Sequence, residues 1–315
     1  MKSAYIAAAF LSLAPMPAAA TELTVMSFNI WGGGANVGKT VDETVAVIRK
    51  VNPDIVGIQE TMTEGDTCTA DVCPPKGESV ARALANALGY YYVDQTATNP
   101  ALWANAILSR YPIGPLTENS LGAPILVNGR QVYAYNIHLD DSPYQPYQLM
   151  WIPYGDSPFL TTEAEAVAAA KATRSAALDL LEADLRTAQL ADLTLIFGDF
   201  NEPSNLDWTE AAVKAGLQPL KVAFPTTQRI EGWGFVDLFR AVYPDVASKP
   251  GFTWTPTTSP DDPEDHHDRI DFTFARGTSV TALSAGIVGE KAPEADIVVS
   301  PWPSDHRASF ARIQF

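Results

Sequence analysis

Residues 193–201 read LTLIFGDFN. The run from Leu193 to Phe197 is apolar or β-branched, of the length and composition of a buried strand. Gly198 follows, and then Asp199 and Asn201 place a carboxylate and a carboxamide where that strand leaves the core. Near the C-terminus, Ser304-Asp305-His306 sets an imidazole beside an acid, a group that exchanges protons close to neutral pH. Acids, amides and imidazoles are the groups that handle hard divalent cations and phosphate esters. The pair of stretches therefore points to metal-assisted phosphoester hydrolysis.

Working outward, residues 21–30 (TELTVMSFNI) have the character of a first strand, ending at Asn29 before Gly32, Gly33 and Gly34. Val41, Val45, Ile48 and Val51 keep helical spacing, and Pro53 closes that helix. Residues 54–59 are a second buried strand that delivers Glu60. A helix over 79–88 ends at Gly89, and strands are expected over 90–93 and 104–109. In 131–139, Tyr133, Tyr135, Ile137 and Leu139 share one face, while Asn136 and His138 share the other. A polar, aromatic and proline-rich loop over 140–159 follows. Thr162 and Glu165 form a capping-box pattern ahead of a long Ala/Leu helix reaching about residue 189. A short helix is expected over 208–215. Ile270, Phe272 and Phe274 alternate with Asp271, and residues 306–315 read as a final strand. Strands interleave with fewer helices, which predicts an α/β chain with a large mixed sheet or two packed sheets under outer helices.

The 315 residues allow one large domain or two small ones; with no repeat and no linker, a single domain over 21–315 is the simplest expectation. Lys2, an apolar stretch over 4–14 and the small residues Ala18-Ala19-Ala20 match a secretory signal peptide cut near Ala20, which places the mature protein in the periplasm or the medium. The apolar stretch is too short to span a membrane. The formal net charge is −16, and −17 once Lys2 is removed. A strongly acidic surface repels polyanions, so no strong nucleic-acid-binding surface is expected. In an exported chain, Cys68 and Cys73 are expected to form a small disulfide. The chain is expected to act as a monomer.

Collected from the strand ends, Asn29, Glu60, His138, Asp199, Asn201, Asp271, Asp305 and His306 form the candidate site. Singly each has a bland reading as a turn, cap or solvated residue; together they are improbable by chance. The segments Ser27-Phe28-Asn29-Ile30, Ile58-Gln59-Glu60, Asn105-Ala106-Ile107-Leu108-Ser109-Arg110, Asn136-Ile137-His138-Leu139, Gly198-Asp199-Phe200-Asn201, Asp268-Arg269-Ile270-Asp271-Phe272 and Ser304-Asp305-His306 occur in an order that resembles the endonuclease/exonuclease/phosphatase superfamily. The resemblance covers the mature chain. It implies a four-layer α/β sandwich, two packed mixed β-sheets flanked by helices, of the deoxyribonuclease I type.

Position by position, the resemblance implies that Glu60 binds Mg2+ (Mn2+ or Ca2+ being alternatives), with Asn29 nearby and Asp305 a further or indirect ligand. It implies that Asp199 orients or deprotonates water, that Asn201 donates to the phosphate, and that Asp271 holds the tautomer of His306. His138 matches a second histidine of the nuclease and sphingomyelinase branches. Tentative substrate contacts are Asn105, Asn136, Trp151, His266 and Arg269. Gly32, Gly33 and Gly34 lack the Lys-Ser/Thr ending of a nucleotide loop and read as a plain turn. The acidic run around His266 and His267 is either a cation or substrate contact or a solvated loop. The aromatics Tyr144, Tyr147, Trp151, Tyr154 and Phe159 are either a substrate-recognition lid or a local core.

These readings favour a phosphodiesterase. A secreted endonuclease, a sphingomyelinase-like lipid phosphodiesterase and a sugar or inositol phosphatase are the alternatives within enzymes. A noncatalytic metal-binding module is the alternative outside them.

Overall fold

The computed structural model describes residues 20–62 and 78–315. The expected leader over 1–20 (save Ala20) and the expected Cys68–Cys73 pairing lie outside the described residues. In chain order the strands are β1 (Glu22–Asn29), β2 (Ile55–Gln59), β3 (Tyr91–Gln95), β4 (Asn105–Ser109), β5 (Gly122–Val127), β6 (Arg130–His138), β7 (Leu193–Asp199), β8 (Val236–Asp237), β9 (Asp271–Gly277), β10 (Thr281–Gly289), β11 (Ile297–Val298) and β12 (Ala308–Gln314). The helices are α1 (Val41–Val51), α2 (Ala81–Leu88), α3 (Gln145–Met150), α4 (Glu163–Leu185), α5 (Glu210–Lys214), α6 (Pro225–Gly232) and α7 (Leu238–Val242).

One sheet has the order β11-β10-β12-β1-β2-β4-β3, and the other β5-β6-β7-β9-β8. Both mix parallel and antiparallel pairs: β1 runs parallel to β2, and β6 parallel to β7. The sheets bury their inner faces against each other through Val25, Ile55 and Ile107 from one and Ala134, Leu195 and Phe197 from the other. Helices α1 and α2 cover the first sheet through Val45, Ile48 and Leu84. Helix α4 covers the second through Ala177, Leu178 and Leu181. Four layers result, because each sheet has two apolar faces that must both be buried.

The alternation of β6 explains the placement of its polar residues. Tyr135 and Ile137 face α4, so Asn136 and His138 face the other sheet. Asn136 is fully buried between the sheets. Its Nδ2 donates to Ile58 O at 2.9 Å, Gln95 Oε1 at 3.0 Å and Ala106 O at 2.9 Å. Its Oδ1 accepts from Gln59 Nε2 at 2.6 Å. The sheets come so close here that a Cβ on Gly57 would meet Phe197 Cβ at 2.5 Å; only glycine fits. Asn136 is thus a tie between sheets, and the expectation that it contacts substrate is corrected. Asn136→Ala leaves buried amide and carbonyl groups without partners and is expected to destabilise the fold by about 3 kcal/mol, read as a lowered midpoint in urea unfolding.

Several local expectations hold, and others are corrected. Thr162 caps α4, with its hydroxyl accepting from Glu165 N and the Glu165 carboxylate accepting from Thr162 N at 3.0 Å. Gly89 ends α2 in the left-handed region at φ 72°. The glycine run is a turn, within the segment Trp31–Val37, in which Gly32, Gly33 and Gly34 take non-helical φ of 68°, 70° and 90°, a conformation costly for other residues. The stretch after His138 is not wholly a loop, because α3 forms within it with Pro146 in its first turn. β5, β10, α6 and α7 carried no strong periodic signal.

Candidate active site

The strand register brings the site together. β6 pairs with β7 so that His138 lies opposite Asp199, and β7 pairs with β9 so that Asp199 lies opposite Asp271. Across the sandwich, β1 and β2 run parallel and end together at Asn29 and Gln59. Glu60, one residue on, takes φ 56°, and Asn201, two residues past β7, takes φ 46°. Left-handed backbone is uncommon for such residues, and it occurs here where the chain turns into the site.

Asp199 is the hub. It is 1% exposed, and its Oδ2 lies 3.0 Å from Asn29 Nδ2, 3.7 Å from His138 Nε2 and 3.6 Å from His306 Nε2. Its Oδ1 accepts from Asn201 N at 2.9 Å. Asn29 Nδ2 also donates to Glu60 Oε1 at 2.8 Å, while Asn29 Oδ1 accepts from Trp31 N at 3.1 Å. The amide oxygen of Asn29 is therefore engaged, and its NH2 bridges two carboxylates. The Asn29 amide thus positions the two acids beside which a cation would sit.

His306 Nδ1 donates to Asp271 Oδ2 at 2.9 Å. Burial pulls its pKa down, but the carboxylates of Asp271 and Asp199 outweigh burial and hold it well above the ordinary histidine value. The two carboxylates thus favour the charged form of the ring. The chain around it is pinned: Ser304 Oγ donates to Asn29 O at 2.7 Å and accepts from His306 N at 3.1 Å. His138 differs. Asn201 Nδ2 sits 3.2 Å from its Nε2, and its Nδ1 faces Trp103 O at 3.5 Å. The Asn201 amide and the Trp103 carbonyl thus flank the His138 ring on its two nitrogens. Asn201 also donates to Leu139 O at 2.9 Å.

Burial pushes Glu60 up to about 7; Asp305 adds to the rise, while His138, His306 and the Asn29 amide oppose it. Two groups, Glu60 with His138 and Asp199, and Asp199 with Asp271 and His306, each bring their ligand atoms within 4.8 Å of one another. Carboxylate oxygens of Glu60 and Asp199, with Asp305 at the same cleft, are the donor set a hard divalent cation takes. The residues present fit such an ion. Its binding must displace the Glu60 proton, so apparent affinity is expected to fall about tenfold for each pH unit below about 7. In Glu60→Gln that pH dependence should vanish along with most of the affinity. Titration calorimetry at pH 5.5, 6.5 and 7.5 checks both; an affinity independent of pH in the wild type would sink the assignment.

The site opens into a cleft of about 650 Å3 that takes in Glu60, His138, Asp199, Asn201, Asp305 and His306. Asp271 stands behind His306, fully buried. The tentative substrate contacts fare differently. Asn105 is buried, its Oδ1 accepting from Trp103 N at 3.2 Å. Trp151 is 64% exposed and stacks on Phe159 away from the cleft. His266 packs its ring on Trp208 and pairs with Gln218 Oε1 at 2.7 Å. Arg269 is 2% exposed and bridges Asp207 and Asp237. None of these four lines the cleft, and each expectation is corrected.

Two residues were missed. Trp254 lies with its ring 5.0 Å from that of His306. Arg174, buried on α4, donates to Asn201 O at 2.6 Å and Gln145 Oε1 at 2.7 Å, beside Glu202 at 3.5 Å. A lone arginine in line with Ala166, Ala170, Ala177 and Leu181 was the available signal, since a helix buries a charge on its apolar face only against a partner.

Residues 26–306 match the model of the Endonuclease/Exonuclease/phosphatase family. An uncharacterized protein of Caenorhabditis elegans, F14F9.5, is 30% identical over 311 residues, covering 93% of this chain and 91% of that one. Among solved structures, a humanized TDP2 from D. rerio is similar with a TM-score of 0.53 at 15% identity, covering 93% of this chain and 98% of that one. A 3'-5' exonuclease from Neisseria meningitidis gives 0.52 at 16% identity, covering 91% and 98%. At such identities the two structures show the shared fold. The chain belongs to the Endonuclease/Exonuclease/phosphatase family and is a metal-dependent hydrolase of phosphoester bonds.

Proposed function

From this membership we propose that the chain is a Mg2+-dependent phosphodiesterase that acts outside the cytoplasm, as a single domain, after its leader is removed near Ala20. The observation that carries the diester reading is the sign of the cleft. Among its described lining residues none is lysine or arginine, and its one fixed positive group is the His306 imidazolium. A monoester dianion needs more neutralisation than this, whereas a diester carries one negative charge. The same lack of basic side chains, with the net charge of −16, argues against an extended polynucleotide.

Glu60 and Asp305 would hold the cation, with Asp199 beside them. When bound, the ion supplies Lewis-acid polarisation of the phosphoryl oxygen and stabilises the leaving oxyanion. Asp199 is placed to accept a proton from water: its carboxylate lines the cleft, with Oδ2 3.0 Å from the Asn29 amide and 3.6 Å from His306 Nε2. His306, kept charged by Asp271, stabilises the negative charge that grows on the phosphoryl oxygens. Asn201, whose Nδ2 sits beside His138 Nε2 at the same cleft, offers an N–H donor to a phosphoryl oxygen.

The test compares bis-(p-nitrophenyl) phosphate with p-nitrophenyl phosphate, each with Mg2+, with chelator and with His306→Ala. The expected result is preference for the diester, lost with chelator and with the variant while thermal stability is kept. Preference for the monoester would move the reading to a phosphatase.

A further inference from the structure

Stability alone does not explain why α4 buries an arginine. Arg174 is 1% exposed, and Glu202, whose Oε2 lies 3.5 Å from its Nη1, is fully buried. Taking two such charges out of water can cost as much as their attraction recovers, so an apolar pair of similar volume would hold the helix as well. What an apolar pair lacks is the rigid fork of N–H donors. Nη2 donates to Asn201 O at 2.6 Å and, at the longer distance of 3.4 Å, to Pro143 O, while Nη1 donates to Gln145 Oε1 at 2.7 Å. One guanidinium thus joins the turn after β7 to the segment after β6.

Both partners lead into the cleft. Gln145 Nε2 donates to Pro143 O at 2.8 Å, and this segment brings Asp140, Asp141 and Tyr144 to the cleft wall. Asn201 is held at each of its polar ends. Its N donates to Asp199 Oδ1 at 2.9 Å, its Nδ2 donates to Leu139 O at 2.9 Å beside His138 Nε2 at 3.2 Å, and its O accepts from Arg174. The backbone stands at φ 46°, a left-handed conformation that asparagine tolerates and that its surroundings must hold. Relaxing that backbone would swing the side-chain amide away from the cleft, and the carbonyl that would have to turn is the one Arg174 grips. Glu202 follows directly in the chain and is itself fixed, its Oε1 accepting from Thr226 N at 2.8 Å.

We propose that Arg174 is a positioning residue for the hydrolysis. It does not line the cleft; it acts through Asn201, keeping that residue's amide aimed at the phosphate and locking the turn to the segment over 139–145. The proposal rests on the reading of Asn201 as a donor to a phosphoryl oxygen and adds the group that holds the donor in place.

The test is a double-mutant cycle between Arg174→Lys and Asn201→Ala, with kcat and KM measured on whichever nitrophenyl ester the wild type cleaves and a thermal melt beside each. Lysine keeps the charge against Glu202 but cannot reach Asn201 O and Gln145 Oε1 together. We expect Asn201→Ala to lower kcat by about 100-fold and Arg174→Lys by about 30-fold, with KM changed by less than about twofold. The double variant should be no slower than Asn201→Ala alone. Losses that multiply, or an Arg174→Lys enzyme with the wild-type kcat, would overturn the proposal and leave the donor reading of Asn201 standing. An Asn201→Ala enzyme with unchanged kcat would sink the donor reading and the proposal with it. A readout that needs no turnover is the Asn201 side-chain amide signal in heteronuclear NMR, assigned by its loss in Asn201→Ala. That signal should move and broaden in Arg174→Lys, and a signal that stays in place overturns the proposal. Should Arg174→Lys fail to fold, Arg174→Gln with Glu202→Gln removes both buried charges at once and is read in the same way.

Discussion

Asp199→Asn is expected to lower kcat/KM on a phosphodiester by about 10^4-fold, with little change in thermal stability. The substitution keeps the shape of the side chain and removes its charge and basicity. Asp199 Oδ2 is approached by Asn29 Nδ2 at 3.0 Å and by both imidazoles at 3.6 to 3.7 Å. An amide there loses the only group in this position that can accept a proton from water. It also removes one of the three carboxylates, with Asp271 and Asp305, that favour the charged form of His306. The measurement is steady-state kinetics on bis-(p-nitrophenyl) phosphate beside a thermal melt. A loss smaller than tenfold would show that Asp199 is not the residue that activates water.

The second large effect concerns the pair beneath it. His306→Gln should lower kcat by about 10^3-fold, and Asp271→Asn by a similar factor, while the double variant should be no worse than His306→Gln alone. Asp271 is fully buried and reaches the cleft through its 2.9 Å bond to His306 Nδ1. It works through the histidine, so the two losses cannot add. The pH profile separates this from mere structural damage. Activity carried by an imidazolium is present at low pH and is lost as pH rises through the histidine pKa. Asp271 raises that pKa, so removing its charge should move the alkaline limb to lower pH. An Asp271→Asn profile with an unmoved alkaline limb would show that Asp271 does not set the charge of His306.

The chemistry of the site could be read directly because it is carried by residues at the ends of strands with strong patterns. Residues 193–197 can only be a buried strand, so Asp199 and Asn201 had to emerge at its end. The alternation of 131–139 put Asn136 and His138 on one face, as β6 does. What alternation could not say is how far along the face the core ends. Asn136 and His138 differ by two residues and one layer: the first is closed in by Gln59 and Gln95 from the opposing sheet, while the second reaches the cleft. Burial depth is set by the partner sheet, which comes from chain segments up to 78 residues away.

The same reason accounts for the other misplacements. Arg269 and His266 sit close in sequence to Asp271, but one turns under the sheet to Asp207 and Asp237 and the other turns out onto Trp208. Trp151 lies in the aromatic segment with Tyr144, Tyr147 and Tyr154, yet α3 carries it to the outer side. Local pattern by itself determined the strands that carry the site, the long capped helix, the polar residues at the strand ends and the class of reaction they serve. Only the packing of two sheets and the course of the covering segments decided which polar groups face the cleft, which are sealed as ties, and which rings form its far wall, because those choices depend on contacts between residues that no local periodicity connects.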